Sequence, residues 1–419
     1  MLTVKGTYRP TWTITDVPVG FPWTPPFSIY RSGLTFAPVS TFDITDLMPL
    51  ATKTYYVSKT GSDSADGLTW ETALRNVYTA VRKADVDRVY IGAGVYDRVD
   101  GWQGQDLIRS CAVIGVGDVT ITCHQPSLVW ALTAGQTYTY QVTRASAQWA
   151  FDAGVLNANG EYTRYSLQSS IATVEATAGS FWISGTTVYI HTIDNRAPDA
   201  NVLVMLSVPT GDAIGNITVY LENLKFYGGS YPFRHQSNAT GQTPILYAKD
   251  CEFKYSGSAS GMAVLGVSTV IMQNCTANAN MADGFNLHWQ NSILCNGVFI
   301  DCVANRNGLT GDEDNGFTVH DGGSMIVIGG TASANLGPNV IPSAAYAWCL
   351  GVTATSSAAS IAGARLNFNS AGGAGAMWCD RCISSGSDYD YNAGVSTTLY
   401  KRLCTGAAID GGAGEIEAY

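Results

Sequence analysis

LENLKFYGGS (221–230), KDCEFKYSGS (249–258), QNCTANANMA (273–282), IDCVANRNGL (300–309) and IGGTASANLG (328–337), set one beneath another, bring Leu224, Cys251, Cys275, Cys302 and Gly330 into one column. Phe226, Phe253, Ala277, Ala304 and Ala332 form a second column two positions on. The steps are 27, 24, 27 and 28 residues. A period in the twenties, with β-branched residues before each column and no helical spacing between, is one coil of a parallel β-solenoid. Residues two apart on a strand face the same way, and both columns are small and apolar, so both point inward.

The ten cysteines fit that frame better than any redox or metal role. They are sparse for a disulfide scaffold. Only Cys379 and Cys382 stand in CxxC spacing, and no second CxxC or HxxxH completes four ligands. Cys251, Cys275 and Cys302 instead read as a reduced interior ladder of small apolar side chains. Asn280, Asn307 and Asn335 form a polar column beyond the inward alanines. Stacked Asn amides bond along a solenoid axis, and Asn also tolerates left-handed backbone angles at a corner. That column is structural.

Composition agrees. Gly accounts for 45 of 419 residues, well above the usual ~7 %, while charged residues make up only 13 % against a typical ~25 %. A salt-bridged helical protein is excluded, and 46 % hydrophobic residues exclude disorder. The net charge of −10 repels nucleic-acid backbones and anionic bilayers. No run approaches the 18 apolar residues of a membrane-spanning helix.

A third phase carries the candidate chemistry. GMAVL (261–265), GFNLH (284–288) and GFTVH (316–320) align on their glycines, with Met262, Phe285 and Phe317 inward and Val264, Leu287 and Val319 inward after them. Alternation then turns Asn286, His288, Thr318 and His320 outward, with the two histidines one rung, roughly 5 Å, apart. Asp283, Trp289, Arg306, Asp314 and Asp321 lie around them, and Asp312, Glu313 and Asp314 form an acidic run on a lengthened loop. Three roles fit. His288, His320, Asp314 and Arg306 are the candidates for acid–base cleavage of a glycan, with Trp289, Asn286 and Asp321 as its binding contacts. Asp312, Glu313 and Asp314 are oxygen-ligand candidates for Ca²⁺. Or the histidines are plain surface residues and the acids a solvated turn.

Residues 54–96 read as a strand, a Gly/Asp/Ser loop, a helix over about 70–83 and a second strand. In that helix Thr69 is the expected N-cap, and Leu74, Val77, Tyr78 and Val81 fall at helical spacing. TYYVSKTGSDSADGLTWETAL (54–74), followed by the strand ending Gly94-Val95-Tyr96, resembles the opening of right-handed parallel β-helix proteins of the pectate-lyase-like superfamily, which includes bacteriophage tailspikes. SFWISGTTVYIH (180–191) is similar to a hairpin that interrupts such helices, so about 130–200 is expected to be a β-rich insertion. The resemblance implies an all-β, right-handed parallel β-helix of about ten coils, but it fixes no chemistry, because the superfamily hosts lyases, hydrolases, epimerases and inactive binders. GFNLH (284–288) lacks the Pro and second acid of the similar alginate-epimerase motif, and the polygalacturonase pattern is absent.

Residues 1–50 hold seven of the fourteen prolines, interleaved with Trp12, Phe21, Trp23 and Phe27. Such a segment is an extended arm whose aromatics need a partner surface, on its own body over 51–419 or on another protein. The opening MLTVKGTYRPTWTITD has no basic n-region or apolar h-region, so export by a secretory signal is not expected. Together with the resemblance, these features point to a phage virion protein, tailspike or tail-fibre-like. It is expected to be a homotrimer that binds host surface polysaccharide, attached to other virion proteins through residues 1–50. A bacterial polysaccharide lyase or hydrolase, and a purely architectural virion protein, are the alternatives. Thirty-two Tyr and Trp residues suit the stacking of sugar faces.

Overall fold

Each coil is made by two sharp corners that the sequence writes at fixed places. Asn223, Asp250, Asn274, Asp301, Gly329 and Gly351 all adopt left-handed backbone angles, with φ between 52° and 64°. Gly, Asn and Asp are the residues that enter this region at least cost. Five of the six stand just before a buried residue of the Leu224–Cys251–Cys275–Cys302 column, which Val352 continues, and Gly329 stands before the half-buried Gly330. The chain therefore turns, drops a small apolar side chain into the core, and sets out on the next face.

In the computed structural model, which describes residues 12–102, 104, 106–308, 314–357, 365–406 and 414–419, three parallel stacks of strands result. The first face runs from Thr54–Val57 through Thr218–Glu222, Ile245–Lys249 and Thr269–Gln273 to Glu415–Ala418. It stacks twelve strands, so the solenoid has about twelve turns where the sequence suggested ten. The second face stacks three-residue strands such as Glu252–Lys254, Thr276–Asn278 and Val303–Asn305. The third is a nine-stranded parallel sheet that includes Gly211–Ile214, Phe233–Gln236, Met262–Leu265, Phe285–His288 and Phe317–His320. The chain is an all-β, right-handed parallel β-helix. Its coils continue beyond Leu350 through Gly375–Asp380 and Thr397–Arg402, where the sequence repeat fades.

Apart from the half-buried Gly330, both inward columns are buried, and all ten cysteines are free thiols, nine of them buried. Asn280, Asn307 and Asn335 are fully buried as well. Nδ2 of Asn280 donates to Oδ1 of Asn307, and Nδ2 of Asn307 to Oδ1 of Asn335, each at 2.9 Å. Asn339 and Asn367 extend the ladder. The expectation that these Asn residues take the left-handed corner is corrected: Ala279, Arg306 and Ala334, one position earlier, carry it. The amides earn their place by satisfying backbone carbonyls inside the turn, as Asn307 does for Ala277.

The helix is also shorter than its periodicity suggested. It covers only Val77–Val81 and is capped by Asn76, whose side chain accepts from the Tyr78 amide. Leu74 instead bridges to Val57 as an extended residue, and Thr69 and Thr72 pair their hydroxyls in a preceding turn. Burial of Leu74 inside the first coil outweighs its helical phase.

Residues 123–210 leave the solenoid after the strand Cys111–Thr122 and return at Gly211–Ile214. They form a five-stranded and a three-stranded sheet around Trp149, Phe151, Tyr165, Phe181 and Met205. Ser180–Ser184 and Thr187–His191 make the antiparallel hairpin within it. The insertion is pinned to the coils by Tyr162 stacked on Tyr255 and by the Arg306–Glu161 ion pair.

The arm lies on its own body. Strands Thr13–Thr15, Ile29–Ser32 and Thr35–Pro38 form a small antiparallel sheet over an apolar stripe on the outside of the first face. That stripe is Ile271, Val298, Ile326, Trp348 and Trp378 in successive coils, and Phe21 and Phe36 seal it. Trp23, Phe27 and Phe42 pack against the same stripe and stay partly exposed.

Candidate functional site

The third face presents two outward columns. The residue after each inward Phe or Met belongs to one: Asp212, Arg234, Ala263, Asn286 and Thr318 occupy successive rungs. The residue two further on belongs to the other, with Gln236, Leu265 and His288 in register and His320 on the next strand.

His288 and His320 stack with ring centroids 4.7 Å apart and planes 29° from parallel. Nδ1 of His288 lies 3.1 Å from the Trp289 carbonyl and 3.2 Å from Oδ2 of Asp321. Burial, with His288 beside it, pushes the His320 imidazole down to about 4, against the pull of Asp321. At neutral pH His320 is thus uncharged and can donate or accept. Trp289 follows at the corner with 46 % of its surface exposed. Its loop is held by Gln290 and Asn291, whose amides both donate to the Ser237 carbonyl.

The first column is a covered polar layer. Thr318, expected outward and open, faces outward yet is fully buried. Asp283 accepts from the backbone and side-chain amides of Asn315 on Oδ1 and from Asn286 on Oδ2. Its burial still pushes it up to about 6. Asn286 is therefore bound to Asp283 rather than aligned with the histidines. Farther down the column Asp212, 2 % exposed, receives a two-pronged contact from Arg234. Burial outweighs that guanidinium and, helped by the neighbouring Asp106, raises Asp212 to about 6 as well.

The structure thus brings together His288, His320, Asp321 and Trp289. Asp314 enters the same coil at the opposite edge of the face, about 13 Å or more from His320 at ~3.3 Å per residue; its carbonyl accepts from Gly337. Arg306 lies at the corner between the second and third faces, committed to Glu161. Asp312 and Glu313 lie outside the described residues. Among the described residues no three potential ligands converge on a point that could hold a metal ion. Asp106, Asp212 and Arg234 are the titratable groups that the sequence alignment passed over, while Asp283, which the sequence set beside the histidines, lies buried in the polar layer. Alignment on glycines misses them because Gly211 takes the inward place of Phe233 and Met262: matching it to Gly261 shifts Asp212 by one residue, and only the true register sets Asp212 beside Arg234.

No protein-family model matches the chain, and no curated protein matches it in sequence. Solved structures do. A glycoside hydrolase aligns over 88 % of this chain and 97 % of its own, at 8 % identity and a TM-score of 0.53. The pectate lyase Pel9A covers 88 % of this chain and 79 % of its own at 13 % identity, with a TM-score of 0.46. The tailspike gp49 of Pseudomonas phage LKA1 covers 79 % and 69 % at 11 % identity, with a TM-score of 0.24. At such identities a likeness speaks for architecture alone, and the glycoside hydrolase together with the three stacked faces makes this chain a parallel β-helix.

Proposed function

We propose that this protein recognises a polysaccharide along the third face of its solenoid, as a tailspike-like virion component bound to a host surface glycan and assembled as a homotrimer. The observation that carries the proposal is the grouping of His288, His320, Asp321 and Trp289 on one open edge. An indole gives a sugar ring an apolar platform. Two neutral-capable imidazoles and a carboxylate give its hydroxyls donors and acceptors. Parallel strands about 4.8 Å apart repeat such contacts in register with a repeating polymer. The glycoside hydrolase of the same architecture lends general support.

The test is binding of the intact protein to a panel of capsular and O-antigen polysaccharides. Trp289→Ala and His288→Ala are expected to weaken binding about ten-fold each, an energy of about 1.4 kcal/mol. Equal retention of polymer by both variants and the parent rules the third face out.

One observation favours cleavage as a second reading: the buried Asp212, whose carboxyl burial raises to about 6, stands beside a second carboxyl, that of the half-buried Asp106. That is the pairing general acid–base glycan chemistry uses. Release of reducing ends from any of the polymers, lost in Asp212→Asn, would establish it.

A further inference from the structure

We propose that the cleft between the insertion and the second face is a separate binding site for one neutral sugar ring, such as the end unit of a glycan chain. The proposal rests on the polysaccharide recognition inferred above. The cleft measures about 210 Å³, below the ~300–1,000 Å³ of sites for drug-sized ligands, and so has room for a single ring. Thr120, Thr122 and Tyr227 line it from the solenoid, and His124, Tyr162 and Asn201 from the insertion.

Its walls are fixed in a way that suits a sugar. Tyr162 gives one ring face to Tyr255, with centroids 4.8 Å apart and planes 9° from parallel. Tyr227 stands nearly perpendicular to Tyr162 at 87°, and its hydroxyl is tied to Glu252 at 2.7 Å. Two immobilised phenol rings thus meet at a right angle and offer apolar surface to the C–H faces of a pyranose. The polar lining is equally committed. Nδ1 of His124 pairs with Oγ1 of Thr122 at 3.2 Å, which leaves Nε2 for a ligand. The amide and Nδ2 of Asn201 both turn back onto Asp199, which leaves its Oδ1.

Charge selects the class of ligand. The lysines on the rim are matched by acids, Lys225 to Asp118 at 2.8 Å and Lys254 to Glu252 at 2.7 Å. Burial lowers the His124 pKa, which keeps the imidazole neutral. Nothing in the cleft compensates a uronate carboxylate or a phosphate, whereas neutral hydroxyls find both donors and acceptors. A cleft with room for one ring reads a chain end. The open third face, in contrast, accommodates the middle of a polymer.

Saturation-transfer NMR on the full chain, with the methyl glycosides of glucose, galactose, mannose, rhamnose and N-acetylglucosamine as probes, tests this. At least one glycoside is expected to receive transfer, most strongly at its ring C–H protons. Ala200→Trp fills the cleft from an exposed position and is expected to lower that affinity at least about ten-fold. Asn201→Ala is expected to lower it several-fold without touching a core residue. Absence of transfer to all five probes, or transfer unchanged in Ala200→Trp, overturns the proposal. Polymer binding that is lost in Trp289→Ala, in a protein that shows no transfer to any of the five glycosides, rejects the cleft and keeps the third face. Glycoside binding lost in Ala200→Trp, in a protein that retains no polymer, keeps the cleft and rejects the third face.

Discussion

His288 and His320, separated by 32 positions in sequence, stack as neighbours with their ring centroids 4.7 Å apart. Two imidazoles so placed cannot both take a proton without like-charge repulsion, and the more buried of them, His320, yields. Its pKa of about 4 leaves it neutral through the physiological range. The Cε1 proton of His320 is expected to titrate near pH 4 by NMR. In Asp321→Asn the midpoint is expected to fall further, because Asp321 is the group that raises it. A midpoint near 6.5 would show that the ring is not desolvated.

A different histidine is expected to govern acid stability. His235 points inward between Ala213 and Val264, is fully buried, and is pushed down to about 3 by desolvation. The unfolded chain binds this proton below pH ~6.5 and the folded chain only below about 3, so stability falls as pH drops through that window. The full effect is about 5 kcal/mol at 1.36 kcal/mol per pKa unit. Asp212 and Asp283, raised to about 6, work oppositely: the folded state holds their protons, which favours folding as pH falls from about 6 towards 4. Comparing His235→Leu with the parent isolates the histidine. Urea midpoints measured from pH 7 to pH 4 are expected to decline less in the variant.

What could be read from the sequence was whatever one coil repeats in the next. Leu224, Cys251, Cys275 and Cys302 recur because each must fit the same corner of the same core, and that constraint is local and periodic. The stacking of His288 on His320 followed from the same register. The fate of Thr318 did not, because its burial depends on loops of unequal length that have no counterpart in neighbouring coils. Arg306 had the same difficulty: its partner Glu161 belongs to the insertion, 145 residues away, and no spacing rule reaches that far. The arm was left between two surfaces because its proline and aromatic content specifies a need for contact without specifying with what.

The asparagine ladder makes a stability prediction with a built-in control. Asn307 accepts from Asn280 and donates to both Asn335 and the Ala277 carbonyl, all inside the core. Asn307→Leu orphans these groups on two coils and is expected to cost about 2–4 kcal/mol, since an unsatisfied buried polar group costs about 1–3 kcal/mol. Asn305→Ala alters a half-buried residue on the adjacent second-face strand and is expected to cost less. Urea unfolding of both variants measures the difference.

The Asp212–Arg234 pair separates structure from catalysis. Removing the guanidinium leaves a buried carboxyl with no cation, which typically costs about 3–5 kcal/mol. Arg234→Met alone is therefore expected to lower the urea midpoint sharply. Asp212→Asn combined with Arg234→Met is expected to recover much of the loss. If the single Asp212→Asn variant keeps its stability yet loses an activity the parent shows, the carboxyl is a catalytic group; if it loses stability alone, it is an anchor of the third face.

The arm supplies the last test. Phe21 is 7 % exposed and packs its ring 6.1 Å from that of Trp348 and 5.7 Å from that of Trp378. It joins the arm to coils formed more than 300 residues later in the chain. Truncation of a buried Phe costs about 3–5 kcal/mol, and here that loss falls on a segment packed along the outside of one face. Phe21→Ala is expected to free the arm while the coils stay folded, because the interior columns and the asparagine ladder do not touch it. Limited proteolysis should then cut before Thr54 many times faster than in the parent, and a hydrophobic dye should bind the uncovered stripe of Ile326, Trp348 and Trp378. Equal cleavage rates in parent and variant would mean that the arm is held by something other than this aromatic contact.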